Sequence, residues 1–256
     1  MIQGFAVRAV WQREFKRYFR DIPRVAASVA RPMVWLFILG IGISPNFAPV
    51  SGLGYIEYIF PGMVVMTILF TSTVSAISII WDRDFGLLKE MLTAPISRSS
   101  IVVGKMLGGA TICTIQGLIA ILLVFFTNIQ LLWYNIAWIL IASFIVGFML
   151  AGIGVIIASL VETYEGFSSV MNFLIMPLFL ASGAVFPLAN LPRWAYLLAR
   201  ANPIAYAVDL FRGLMLHHYE YTFFIDMMVI SVLTLIVTAY AVYRFRRMAH
   251  KWGGRG

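Results

Sequence analysis

The sequence predicts an all-α polytopic membrane protein with six transmembrane helices. Three observations carry this. The chain is 61% hydrophobic and 12% charged, with a mean hydropathy of +0.90, whereas a soluble domain is about a quarter charged. No charged residue occurs between Lys105 and Glu162, which leaves room for two spans of about 20 residues each and a turn. The apolar runs are long and continuous, not ten-residue segments of alternating polarity, and that argues against a β-barrel.

Residues 1–24 come first. Phe5, Val10, Trp11, Phe15, Tyr18 and Phe19 recur at helical intervals among arginines. The pattern predicts a helix lying in the headgroup plane before the chain turns inward at Pro23. It is not the pattern of a cleavable signal, because charges persist up to the first oily run. Six spans then follow: Val25–Ser44, Ile59–Trp81, Met106–Thr127, Trp133–Leu160, Phe167–Phe186 and Phe224–Tyr243. Breakers agree with these limits: "SPNFAPVSGLG" (Ser44 to Gly54) follows the first span and "FPLANLP" (Phe186 to Pro192) follows the fifth. No linker divides the chain, so residues 1–256 are expected to form a single transmembrane domain. The single cysteine, Cys113, falls in an apolar run and has no internal disulfide partner.

Charge sets the expected orientation. Arg8, Arg13, Lys16, Arg17, Arg20, Arg24 and Arg31 precede or open the first span. Arg83, Lys89, Arg98 and Lys105 lie between the second and third, and Arg244, Arg246, Arg247, Lys251 and Arg255 follow the sixth. The alternate side keeps Arg193, Arg200 and Arg212. The positive-inside rule then puts both termini in the cytoplasm of a multi-pass plasma (inner) membrane protein. The net charge of +8 is read as orientation and headgroup contact, with no nucleic-acid partner.

The loop after the second span, residues 82–105, is the one long polar interruption in the first two thirds of the chain. Asp82, Arg83, Asp84, Lys89, Glu90, Arg98 and Lys105 are charged. Asp82 and Asp84 form a D-x-D, a spacing that holds a nucleotide-sugar metal in some glycosyltransferases, although no soluble catalytic domain surrounds it here. "VGKM" (Val103 to Met106) resembles the end of a phosphate loop, but Ser99 stands where the first glycine belongs and Met106 where the hydroxyl belongs. No ATP site is recognisable on this chain. Phe85, Leu88, Met91 and Leu92 fit one face of a short helix, Pro95 stops it, and Ser97 or Ser99 caps the next. Such a helix either rests on headgroups or passes a push from a soluble partner into the two spans it joins.

At this point the residues carry a resemblance. "YIFPGMVV" (Tyr58 to Val65), "DRDFGLLKEMLTAPISRSSIVVGK" (Asp82 to Lys105), "SGAVFPLANLP" (Ser182 to Pro192) and "ANPIAYAVDLFRG" (Ala201 to Gly213) resemble the type-2 ABC exporter permeases. The closest branch is the daunorubicin-resistance-like drug and lipo-oligosaccharide exporters. The resemblance implies a nonenzymatic permease with six helices, an interfacial N-terminal helix and a cytoplasmic coupling helix. It further implies two separate ATP-binding subunits that hold the ATP and Mg, and a second permease subunit. Asp84, Phe85, Gly86, Leu87, Glu90, Leu92 and Pro95 are then the coupling residues. In residues 187–223, Pro187, Pro192, Asn202 and Pro203 mark an external re-entrant hairpin, an exit gate on this reading, with Asn202 and Pro203 as a helix cap and first-turn proline. Hydrophobic drugs, lipid-linked oligosaccharides and polysaccharides are all cargo of that family.

Other polar residues divide between path and packing. Thr67, Thr71, Ser75 and Ser78 share one face of the second span and either line a pathway or pack helices. Gln116 and Asn172 are expected to satisfy neighbouring helices, Gly147, Ala151, Gly154 and Ala158 to form a packing stripe, and His217 and His218 to be surface residues, not metal ligands. Two readings of another class stay open. An ion-coupled carrier places an ionisable residue inside a span, yet Glu57, Glu162, Glu165, Asp209 and Asp226 fall near predicted ends. A membrane-embedded transferase has only Asp82 and Asp84 to work with.

Overall fold

The computed structural model describes residues 2–43, 49, 52–127, 129–188 and 192–253, all-helical among those residues, with no strand element. Helix α1 (Gly4–Arg20) ends on Arg17 and Arg20, cations placed where the helix dipole is negative. After the single residue Asp21, α2 (Ile22–Trp35) begins with Pro23 in its first turn, and a π-helical segment Leu36–Ile43 continues it. Most of the expected breaker at Ser44–Gly54 lies outside the described residues. Helix α3 (Tyr55–Asp84) opens with the Glu57 carboxylate accepting the Gly54 N–H at 3.0 Å. Next come α4 (Leu87–Thr93) and α5 (Arg98–Ile121), with Leu122–Phe126 as a 3₁₀ extension of α5. Ser97 caps α5 through the Ser100 N–H at 3.2 Å. Then follow α6 (Trp133–Ala158), α7 (Tyr164–Leu180), α8 (Arg193–Ala201), α9 (Pro203–Leu216) and α10 (Phe223–Gly253).

Among the described residues, four helices are long and apolar enough to cross a membrane: Tyr55–Asp84, Arg98–Phe126, Trp133–Ala158 and Phe223–Met248. Two more apolar helices, Val25–Ile38 and Tyr164–Leu180, are shorter. Four of the six expected spans are helices of that length, and the first and fifth coincide with the two shorter apolar helices. The first short helix gives way to a π-helix at Leu36, and the second ends in a turn at Ala181.

Small residues decide how close the long helices come. A Cβ on Gly147 would lie 2.6 Å from Cβ of Cys113, and one on Gly154 would lie 2.3 Å from Cβ of Ala76. The stripe Gly147, Ala151, Gly154 and Ala158 thus presses α6 into α5 and α3, as the sequence predicts. Helix α3 is the central rod, 78% of its apolar window being buried, while α10 packs on α6 and α9 from outside with 17% buried.

Helix α1 meets the rest through a stripe that takes in Val10 and Tyr18 of the apolar pattern together with an acidic residue. Its buried stripe is Ala6, Val10, Glu14 and Tyr18, one residue per turn, while Phe5 stays 69% exposed. The reason lies on α5. Gly104 and Gly108 carry no side chain, so Val10 and Glu14 come within 2.7 Å of where their Cβ atoms would stand. This GxxxG spacing draws α1 against α5 and takes an acidic residue in with it.

Candidate functional site

The basic segments gather at one end of the bundle. Arg98 and Ser99 at the start of α5 meet Arg246 near the end of α10, whose Nη2 donates to Ser99 Oγ at 2.6 Å. Helix α1 starts at the same end, where Gln3 Oε1 accepts the Ser97 N–H at 3.0 Å, and runs along α5 to its middle, where Trp11 Nε1 donates to Thr111 Oγ1 at 3.0 Å.

An ionic knot holds α1, α3 and α5 together there. Lys105 is not a loop residue, as the sequence suggests, but stands two turns inside α5 with its side chain 3% exposed. Its Nζ donates to Asp82 Oδ2 at 2.5 Å, Glu14 Oε1 at 2.9 Å and Ser78 Oγ at 3.2 Å. Asp82 also accepts both nitrogens of the Arg13 fork, at 2.5 and 3.1 Å, and Arg17 Nη1 at 2.9 Å. Burial pulls the Arg13 guanidinium down, but the hydrogen bond and field of Asp82 outweigh it and hold Arg13 above its usual range. A charge this deep is tolerable only when paired and fully hydrogen-bonded. The geometry removes the D-x-D from metal chemistry: three cations occupy Asp82, while Asp84 is 49% exposed and leans toward Arg83 Nε at 3.7 Å. The transferase reading built on Asp82 and Asp84 is corrected accordingly.

Arg83 ties the same helix end to the α6–α7 link. Its Nη1 donates to the Val161 carbonyl at 2.9 Å and its Nη2 donates to the Glu162 carbonyl. Below this fixed point the chain turns through Gly86, at φ +77, into the seven-residue α4. Leu88 is 2% exposed, and Met91 and Leu92 pack on the core. Phe85 departs from the predicted face: it terminates α3 with 81% of its surface in solvent. Of the seven residues assigned to coupling, Asp84, Phe85, Gly86, Glu90 and Pro95 are exposed, and Leu87 and Leu92 are half-buried. Together they form a small protrusion at the foot of the central rod.

The Ser/Thr face of α3 splits. Thr67 donates to its own helix at Met63, Ser78 belongs to the Lys105 knot, and Ser75 abuts Gly109. Thr71 lines a cavity of about 240 Å3 that also touches Tyr18, Ser28, Arg31, Trp81 and Tyr164. Trp81 and Tyr164 stack with centroids 6.5 Å apart, and the Arg31 guanidinium sits 4.5 Å over the Phe70 ring. Arg31 stands deep in the apolar stretch Val25–Ile38, not at its mouth. Tyr18 joins α1 to this region by accepting from Gln116 Nε2 and pairing with Ser28 Oγ, both at 3.0 Å. Gln116 therefore serves a neighbouring helix as predicted. Asn172 is exposed on α7 and, among the described residues, bonds Ser168 of its own helix at 3.4 Å.

At the opposite end, α9 is inserted among α3, α6 and α10, with Ile204, Val208, Phe211 and Arg212 buried. The Gly183 carbonyl, in a turn with φ +76, accepts from Tyr58 Oη at 2.9 Å and Arg212 Nη2 at 2.7 Å. Asp209, expected near the end of a span, lies inside the buried α9 and accepts the Glu220 and Tyr221 N–H groups at 2.8 Å each. Helix α8 instead stays on the surface with Trp194, Leu197 and Leu198 exposed. Pro187 is half-buried, Pro192 exposed, and Pro203 opens α9 behind Asn202. His217 and His218 are exposed, and His217 ends α9 in the left-handed region at φ 57.

Asn202 does two jobs: Oδ1 accepts the Ile204 N–H at 2.9 Å and Nδ2 donates to the Leu178 carbonyl at 2.5 Å. Asn202→Ala should cost about 2 kcal/mol, about 1 for the cap and about 1 for the tether. Asn202→Asp, which keeps the cap alone, should fall between the two in a thermal unfolding series. Equal stability of the aspartate and alanine variants would contradict the cap.

Comparison with known proteins now bears on this arrangement. Residues 6–216 match the sequence profile of the ABC-2 type transporter family. The chain is 28% identical over 213 residues to Nodulation protein J of Neorhizobium galegae, covering 82% of this chain and 81% of that one. It is 30% identical over 213 residues to the transport permease ycf38 of Cyanophora paradoxa, covering 79% and 72%. Apolar membrane-length helices and a match across most of the chain lead to one conclusion: this protein belongs to the ABC-2 type transporter permeases.

Proposed function

We propose that the chain is the membrane-crossing half of an ATP-driven exporter. It crosses the bilayer six times, α2 with its π-helical extension and α7 being the short crossings. The basic end carrying both termini lies in the cytoplasm, as the lysine and arginine distribution favours. Helix α1 begins at the cytoplasmic surface and packs along α5 from Ser97 to Gln116, and α8 and α9 form an external re-entrant hairpin. Irregular backbone at that depth must be buried in protein, and the surroundings of α9 supply that. ATP and Mg are held by two separate ATP-binding subunits, and a second copy of this chain completes the pathway. The cargo is a hydrophobic drug, a lipid-linked oligosaccharide or a polysaccharide, entering past Thr71 and leaving by Pro187, Pro192, Asn202 and Pro203.

The observation that carries the reading is the foot of α3. Phe85 is an aromatic knob at 81% exposure, flanked by the exposed Asp84 and Glu90. Aromatic anchors of this kind dominate protein interfaces. Directly above it, the Asp82 knot and the Arg83 carbonyl bonds fix α3 to α1, α5 and the α6–α7 link. A force applied at Phe85 therefore moves several helices at once. Closure of the ATP-bound motors brings the two protrusions together and turns the bundle outward.

Phe85→Ala with Glu90→Ala should lower retention of the ATP-binding subunit on the purified permease at least tenfold, without changing the thermal stability of the permease. Retention equal to that of the unaltered protein would overturn the assignment.

A further inference from the structure

Next to this foot is a basic cavity that shares only Arg83 with the coupling scheme. A cavity of about 260 Å3 opens between the basic ends of α3 and α10 and the α6–α7 link. Arg83, Arg244 and Arg247 line it, with Glu162 and Met248. We propose that this cavity binds the phosphate of an anionic phospholipid headgroup from the leaflet at the basic end.

Charge comes first. Three guanidiniums face one carboxylate, and Glu162 is exposed. Arg83 is already aimed by the Val161 and Glu162 carbonyls. Arg244 Nε is buried with no hydrogen-bond acceptor among the described residues. A buried donor without an acceptor costs free energy, which favours a shift of the Arg244 guanidinium toward an anion that enters the cavity. Arg247 lies over the Tyr243 ring at 4.9 Å, which holds its planar fork beside the cavity. Guanidinium forks match phosphate oxygens in pairs.

Depth decides between a lipid and a free anion. Tyr240 and Tyr243 stack on α10 with centroids 6.3 Å apart, both about half exposed. Tyrosines at this position mark the headgroup level of a bilayer. Further along α10, Met228, Val232, Leu235 and Ile236 are exposed and apolar, a surface for acyl chains that leads to the cavity. Met248 gives the glycerol an apolar wall. Basic pockets between membrane helices at the cytoplasmic side hold anionic headgroups for these reasons. The site bridges α3, α10 and the α6–α7 link, the elements that frame the proposed lever, so an occupying lipid would brace them.

The test is native mass spectrometry of the purified full chain, titrated with phosphatidylglycerol or phosphatidylcholine, and thermal unfolding with inorganic phosphate. Phosphatidylglycerol should be retained at least tenfold more tightly than phosphatidylcholine, and 0.5 M salt should erase most of that preference. Arg244→Gln with Arg247→Gln should remove the preference, whereas Arg193→Gln, at the opposite end, should leave it intact. If the double variant is not monodisperse, the salt series on the unaltered protein decides alone. Equal retention of the two lipids, an unchanged preference in a folded double variant, or protection by inorganic phosphate equal to that by phosphatidylglycerol would each overturn the proposal.

Discussion

Asp82→Ala should destabilise the protein by about 3–5 kcal/mol, the cost of stripping one partner from a buried ion pair. Lys105, with its side chain 3% exposed, would keep only Glu14 and Ser78, while Arg13 and Arg17 would lose their shared acceptor. The loss should be larger than the removal of any exposed pair on α1, because exposed pairs contribute about 0–1 kcal/mol. A double-mutant cycle isolates the pair. Lys105→Met alone should also be costly, since it leaves Asp82 and Glu14 without their buried cation. Combined with Asp82→Ala it should cost clearly less than the sum of the two. Thermal unfolding by fluorescence-detected size exclusion gives all four corners, and strict additivity would show that the knot contributes no coupling.

Gly154→Ala is the second large effect, and it works through volume instead of charge. The added Cβ would stand 2.3 Å from Cβ of Ala76, so α6 must retreat from α3 along their whole contact. Overpacking of this kind costs about 1–3 kcal/mol. The same geometry predicts its own repair. Ala76→Gly removes the opposing methyl, and the pair Gly154→Ala with Ala76→Gly should regain most of the lost stability, short of about 1 kcal/mol for a new helical glycine. A double variant as unstable as Gly154→Ala alone would mean that the strain is relieved elsewhere.

These two sites were unequally legible. The stripe containing Gly154 is visible in sequence because small residues at helical spacing name a contact face before the partner is known. The knot is not. Asp82 reads as half of a D-x-D, Lys105 as a loop cation, and Glu14 as one charge among many on a basic helix. Their partners lie 69 and 23 positions away for Asp82 and 91 for the Lys105–Glu14 pair. The spacing of Gly104 and Gly108 was the available signal that some helix would come close enough to bury such a group. Phe85 shows the opposite error. Its spacing from Leu88 fits a shared face, but the turn at Gly86, with φ +77, ends α3 before α4 begins and swings the ring outward. The four hydroxyls of α3 were likewise one face in sequence and four different environments in the fold.

What the sequence determined by itself was a set of apolar rods, their punctuation, the uneven placement of arginine and lysine, and membership of a permease family. Each of these is a local or summed property: transfer of side chains into lipid, backbone geometry at glycine and proline, and total charge per segment. Only the tertiary structure decided which charges neutralise one another, which hydroxyl meets a cavity and which aromatic is left in solvent. Those outcomes depend on distances of a few ångströms between residues remote in the chain, and the energy of an ion pair or a methyl contact changes over that same range.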